Sequence, residues 1–233
     1  MTRLDDRLAA IERRLDEIQA LLLRLVELQT GGEVDDLPEA NLQTVHEVLN
    51  ELGAEVAYDP LEIQYQLARD WAEGDRAEEM AEFDLSGRNL RGVDLKDAVL
   101  TRANLAKADL TGAKLMRAAL DEADLSRCRL DRADLSGASM EGADLTFAHV
   151  TYCKLEGTNL RFALLTRANM NGANLSSTNL AGAQLNRAIL TRANLTDAQV
   201  SYKQLASTSA LDGATMPDGR LFDGDFSPYA NYR

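Results

Sequence analysis

Aromatic residues make up only 5% of this 233-residue chain, with a single Trp, so a core must be built from aliphatic side chains. Only four Pro occur, and none lies between Pro60 and Pro217. Such a gap fits a segment whose backbone N–H groups are all needed for pairing. Two Cys, Cys128 and Cys153, show no short metal-ligand spacing. They exclude a disulfide framework and point to a reducing compartment. His46 and His149 are the only histidines and fall in different segments, so neither reads as a ligand, and His149 reads as a surface residue. No phosphate loop, serine elbow or dinucleotide fingerprint appears. The most apolar stretch, Leu21–Leu28, is interrupted by Arg24 and Glu27 and is too short to span a bilayer. The N-terminal run Met-Thr-Arg-Leu-Asp-Asp-Arg has acids where a signal peptide needs an apolar stretch. A soluble, cytoplasmic, non-catalytic protein without metal, cofactor or membrane contact is the expectation.

The net charge of −13 is unevenly placed. Residues 1–82 hold seven Arg and no Lys against 21 Asp and Glu, whereas residues 83–233 hold 18 Lys and Arg against 17 Asp and Glu. The first third therefore carries −14 and the remainder +1. Two parts with different roles are implied.

A repeat dominates what is present. Stepping by five from Leu85 to Leu205, every one of 25 landings is Leu, Met or Val. Two residues earlier the position is small: from Ala98 to Ala198 it is Ala except at Cys128, Cys153, Thr158 and Thr178. The residue just before the landing favours Asp or Asn, and Gly recurs two residues after it, as at Gly87, Gly112, Gly142 and Gly182. A period of five fits neither a helix nor a plain strand. It fits a solenoid with one large and one small inward residue per short segment, followed by a turn. Asp and Asn suit the turn because their side chains bond nearby backbone. The aspartates follow this period and not that of calcium-binding nonapeptide arrays, so they read as turn residues rather than metal ligands.

Runs such as Ala103-Asn104-Leu105, Ala108-Asp109-Leu110, Ala133-Asp134-Leu135 and Ala143-Asp144-Leu145 resemble the pentapeptide-repeat family. The resemblance implies a mainly β solenoid, a right-handed quadrilateral β-helix with four repeats per coil. Residues 20 apart would then stack, and about six coils at sheet spacing would make a tower ~30 Å tall. Thr158 and Thr178 would stack on one face and bond backbone, and Cys128 and Cys153 would fall on different faces without a disulfide. Phe83 is bulky enough to plug the first coil, and Arg88 in a small inward slot needs an acid from Glu78, Glu79 or Glu82. Lys203 breaks the pattern at the far end. Pro217-Asp218-Gly219 signals a turn in a closing loop, with Leu211 and Met216 expected over the last coil.

Upstream, Leu4, Leu8, Ile11, Leu15, Ile18, Leu22 and Leu25 recur in alternating steps of four and three, a heptad seam with Leu at a and Ile at two of the d positions. Leu21 and Leu28 at g and Val26 at e widen it. Gly31–Asp36 reads as an acidic linker, Glu39–Leu52 as a helix, and Asp59-Pro60-Leu61-Glu62 as the start of another whose Tyr65 and Trp71 cover the first coil. The expected organisation is a coiled-coil helix over 1–30, an acidic linker with a short helix over 31–58, and a capping helical segment over 59–82. The β-helix follows over 83–207, with a closing loop and tail over 208–233.

Sorting the position two after each Leu by 20-residue spacing collects Gly87, Lys107, Arg127, Phe147, Arg167 and Arg187 on one edge, with Arg132, Tyr152 and Arg192 beside it. Phe162 falls on another edge, between Gly142 and Gly182, so Phe147, Tyr152 and Phe162 form a partial aromatic belt within one coil. The cationic stripe with a ring in its middle is the candidate partner site, and Asp124 and Asp144 could neutralise part of it. Absence of active-site chemistry points to a scaffold that presents tower faces to a protein partner and multiplies itself through the coiled coil. Direct nucleic-acid binding is not expected at a net charge of −13. The alternative comes from the resemblance: the quinolone-resistance pentapeptide proteins imitate duplex DNA and bind type II topoisomerases such as gyrase. Mimicry asks for an acidic tower, and here the acid lies upstream.

Leu at a with Ile at d favours more than two strands, as do the apolar g and e positions, which would stay wet in a dimer. Light scattering on the full chain at micromolar concentration should therefore give a parallel tetramer or trimer, tetramer preferred. Replacing Ile11 and Ile18 by Asp should give monomers with an intact tower. A wild-type monomer would contradict the coiled coil.

Overall fold

The computed structural model of the chain describes residues 68–69 and 80–226, all within a unit running Asp59–Arg233. The heptad seam, the acidic linker, the Glu39–Leu52 helix, Tyr65, Trp71, Glu78 and Glu79 lie outside the described residues.

The period-five pattern becomes a β solenoid. Parallel bridges join residues 20 apart in four columns, one of which climbs Asp84, Asn104, Asp124, Asp144, Leu164 and Gln184. Each bridge is isolated, one residue per segment, so four short segments and four corners make one turn of chain. All landings from Leu85 to Val200 are buried, and so is every small residue from Ala98 to Ala198. Each buried Leu contributes on the order of 1.5–3 kcal/mol gross, which chain entropy largely offsets.

One repeat shows how the backbone is satisfied. The N–H of Leu105 donates to Asp124 O at 2.7 Å, that of Lys107 to Ser126 O at 2.8 Å, and that of Asp109 back to Arg88 O at 2.9 Å. The Ala108 N–H closes the turn onto Leu105 O at 3.0 Å. The fifth, Ala106 N–H, donates to the Asn104 side chain at 3.1 Å. That last bond is general: every Asp or Asn preceding a landing from Leu85 to Val200 accepts the N–H two residues on, as Asp84, Asp124, Asp144 and Asn194 do. Pairing of this turn N–H, which the ladder leaves without an acceptor, is thus why Asp and Asn dominate this position.

The residue two after each landing has positive φ at every corner from Glu82 to Asp197. Glycine accounts for eight of these 24 corners; the rest include Arg127 (φ 57), Phe147 (φ 60) and Phe162 (φ 57). None is β-branched, the side-chain class for which this region is most costly. Gly182 (φ 74) has a second reason to be Gly: an added Cβ would stand 2.5 Å from the Phe162 ring. At Gly172 (φ 66) an added Cβ would likewise stand 2.5 Å from the Tyr152 ring.

Thr158 and Thr178 are buried and donate to Leu135 O at 2.9 Å and Leu155 O at 2.8 Å. Cys128 and Cys153 are buried and free. The Cys153 thiol lies 3.1 Å from Ala133 O, and burial pushes both thiols far above the ordinary range.

The two ends differ from the sequence expectation. The unbroken register through Leu205 does not hold. The pairing offset changes from 20 to 21 at Ile189–Ala210 and Asn194–Thr215. The extra residue is taken up by a short helix, α1 (Tyr202–Ala206), which buries Leu205 from its own side. Ser201 caps α1 in a reciprocal box with Gln204, and Gln204 ties it to the preceding coil through Leu180 O (2.6 Å) and Ala183 O (2.9 Å). Lys203 is on this helix and exposed.

Leu211 and Met216 are not a cover. They are the next buried residues of the ladder, with Leu190 N–H donating to Ala210 O and Leu195 N–H to Thr215 O, each at 2.8 Å. The chain then reverses through Pro217-Asp218-Gly219 and pairs Leu221 antiparallel to Thr215. Tyr202, Phe222 and Phe226 pack on the core beside it, with ring centroids 5.2 and 4.7 Å apart. At the other end Phe83 is half-buried against the core, Ala68 is helical and fully buried, and Arg88 is half-buried near Asp84.

Two predictions follow from the corners and the turns. Gly157 (φ 65) has nothing within 4 Å of an added Cβ, so Gly157→Ala should cost only the left-handed backbone penalty, ~1 kcal/mol. Gly182→Ala should cost clearly more, because the Phe162 ring must also move. Equal urea midpoints for the two variants would contradict the ring placement. Burial raises the Asp109 and Asp134 carboxyl pKa values, but hydrogen bonds from Thr111 and Ser136 and the cations Arg91 and Lys154 outweigh it and hold both below the usual range. Asp84 is lowered first by the Ser86 N–H. A lowered folded-state pKa gives stability that is complete above the unfolded value, about 4, and is lost as pH falls through the folded value. Urea midpoints should therefore be flat from pH 7 down to about 5 and fall below about 4; stability that rose on acidification would refute this.

Candidate partner-binding face

Because the corner residue turns the chain, its side chain points outward, and residues at the same corner of successive coils form a column. Two columns are ion ladders. In one, Arg102 lies 3.7 Å from Glu82 and donates to Glu122 at 2.9 Å; in another, Arg117 holds Asp97 through two bonds of 2.8 Å. The paired acids raise the Arg102 pKa further, Glu122 most.

The remaining two columns lack this compensation. Lys107, Arg127, Arg167 and Arg187 stand on one corner with Phe147, and Arg132 and Arg192 on the next with Tyr152. All are exposed. Of the other Lys and Arg in the described solenoid, only Lys203 on α1 has no partner; Arg91, Arg102, Lys114, Arg117, Arg129, Lys154, Arg161 and Arg220 each have an acid within 4 Å. The two columns flank one face, whose central positions carry Asp109, Arg129, exposed His149, Asn169 and Ile189. Of its acids, Asp109 is engaged by Arg91 at 3.1 Å and Asp131 by Arg129 at 3.6 Å and the Thr151 hydroxyl, while Asp212 on the last coil is exposed. Asp124 and Asp144, expected to neutralise the stripe, instead accept Ser126 N–H and Thr146 N–H at 2.8 Å and pair with no cation.

Phe147 is 40% exposed, between two guanidinium groups. The Cζ of Arg127 lies 5.5 Å and that of Arg167 5.3 Å from its ring centroid. Such contacts are worth ~0.5–1 kcal/mol each at exposed sites and hold both forks in place. Tyr152 lies on the Gly172 corner and is 56% exposed. Phe162 occupies a third corner of the same coil, against Gly182, with Arg161 5.0 Å from its centroid. The structure thus brings Lys107, Arg127, Arg132, Phe147, Tyr152, Arg167 and Arg187 around one face and leaves Phe162 on the edge diagonal to Tyr152. The sequence reading missed Arg129, Arg161 and the Gly172 platform beneath Tyr152, although it placed Phe162 between Gly142 and Gly182; the 20-residue spacing of Gly172 from Tyr152 was the available signal.

Among the described residues no helix is long and apolar enough to cross a membrane, and no group of three or more His, Cys, Asp or Glu is placed to hold a metal ion. A comparison with curated proteins finds no match. Solved structures do match. HetL from Nostoc sp. strain PCC 7120, a pentapeptide repeat protein involved in heterocyst differentiation regulation, is 34% identical over 60% of this chain and 71% of its own, with a TM-score of 0.34. A pentapeptide repeat protein from the Arabidopsis thaliana thylakoid lumen is 26% identical over 48% of this chain and 72% of its own, at 0.32. The pentapeptide repeat protein Rfr23 from the cyanobacterium Cyanothece 51142 is 24% identical over 68% of this chain and 99% of its own, at 0.29. The family model for pentapeptide repeats matches in eight copies across residues 83–117, 113–148, 143–180 and 168–201. With the buried five-residue period and the 20-residue ladder, that match makes this chain a member of the pentapeptide-repeat family.

Proposed function

We propose that the chain is a non-catalytic interaction protein whose solenoid presents the face between the Arg127 and Arg132 corners to a protein partner. The observation that carries this reading is the contrast between corners: cations on two of them are paired by acids one coil away, while six on the other two are not. Exposed Arg and aromatic side chains are also the types enriched where proteins bind one another. A rigid solenoid holds them in place at little entropic cost on binding.

The heptad seam from Leu4 to Leu25 is assigned the role of multiplying copies, so that several weak contacts act together through avidity. The six-coil count of the tower belongs to the same reading. Imitation of duplex DNA, the alternative drawn from the quinolone-resistance proteins, calls for an anionic surface, and the unpaired corner columns are cationic. A location in the cytoplasm agrees with two unpaired thiols.

Affinity capture with the full chain tests the reading. A protein retained in fixed stoichiometry by the wild type should be lost with the Arg127→Glu/Arg167→Glu variant and kept with Arg102→Glu, which disturbs an already paired corner. The same protein retained by all three would contradict it.

A further inference from the structure

We infer that the ligand of this face is an acidic polypeptide segment, held by carboxylates seated on the Arg127–Phe147–Arg167 clamp. The inference rests on the proposed binding face and names the chemistry it takes. The Phe147 ring holds both guanidinium groups beside it, with Cζ 5.5 and 5.3 Å from its centroid. Neither Arg is engaged by a carboxylate, so both forks are open to bidentate acceptors. The two lie two coils apart, ~10 Å at sheet spacing, and Lys107 and Arg187 extend the column by one coil, ~5 Å, on either side. Acids in one row along a helix recur at about 5–6 Å over three or four residues and about 10.5 Å over seven. An acidic helix therefore meets this ladder in register, with Arg132 and Arg192 on the neighbouring corner as a second rail.

Carboxylates fit better than nucleic acid for two reasons on the molecule itself. Single-stranded nucleic acid binds such surfaces by stacking bases on ring faces. Here Phe147 is already engaged by two guanidinium groups and Phe162 by that of Arg161, and the Tyr152 and Phe162 rings lie against Gly172 and Gly182. Duplex DNA responds to charge over long range, and the chain as a whole carries −13. A short clamp of oriented forks acts on groups already in contact.

The test uses the full chain with poly-L-glutamate, a mixed-sequence 20-base single strand and the matching duplex, by fluorescence anisotropy at neutral pH and two salt concentrations. Poly-L-glutamate should bind saturably and weaken with salt. Arg127→Lys/Arg167→Lys, which keeps the charge and loses the forks, and Phe147→Leu, which keeps bulk and loses the ring, should each weaken it by roughly threefold or more, and Arg127→Glu/Arg167→Glu by roughly tenfold or more. Arg102→Lys should leave it unchanged. Melting curves check that every variant is folded. Three results would overturn the inference: no binding of poly-L-glutamate, either nucleic acid binding as tightly at the same salt, or a Lys variant equal to wild type. If poly-L-glutamate fails while the Glu variant still loses its captured protein, the acidic ligand falls and the binding face stands. If the Glu variant keeps its captured protein, both fall.

Discussion

The left-handed residue at each corner is the constraint on which the rest of this molecule depends. Its positive φ ends one straight segment and starts the next, so that an inward Leu is followed three residues later by an inward small residue. Its N–H meanwhile stays in the ladder, as Lys107 N–H does with Ser126 O at 2.8 Å. For a residue with a Cβ this conformation costs roughly 1 kcal/mol or more, and 16 corners carry such a residue. The cost is met by the ladder of backbone bonds between coils and by the burial of every landing. It also excludes β-branched side chains from corners, while charged, aromatic and small ones are admitted.

That admission is what lets a monotonous interior carry a specific exterior. The corner side chain contributes nothing to the core, so its identity is free to vary down each column. Alternation of Arg102 with Glu82 and Glu122 neutralises one corner; repetition of Arg and Lys around Phe147 leaves another charged. Solvent-exposed ion pairs of the first kind contribute little stability, and their significance here lies in what they remove from the surface. The near-neutral total of the solenoid conceals a face on which positive charge is unpaired.

Much of this was legible in the residues because it depends on local chemistry at fixed spacing. The inward Leu and Ala positions, the Asx bond, the backbone bonds of Thr158 and Thr178, the exposure of His149 and the alignment of Lys107 with Arg127, Phe147, Arg167 and Arg187 all follow from a period of five and a stack of 20. The far end was not legible. Leu205 keeps the spacing and is buried, yet it belongs to α1, and only the pairing of Ala210 with Ile189 shows that one residue has been added. Nor does spacing say where a long side chain turns. Arg91 reaches Asp109, 18 residues away, rather than a neighbour 20 away, and Phe162 and Tyr152 lie down on glycines. Rotamers and space decide both, and neither is periodic.

The central claim is that cations on two corners are free of acids while those on the others are paired with them, although all are exposed. Arginine modification by phenylglyoxal, followed residue by residue by mass spectrometry on the native chain, measures this directly. The account predicts that Arg132, Arg187 and Arg192 react faster than Arg102 and Arg117, with the difference narrowing as salt or acid breaks the pairs. Equal rates for the two sets in native buffer would contradict it.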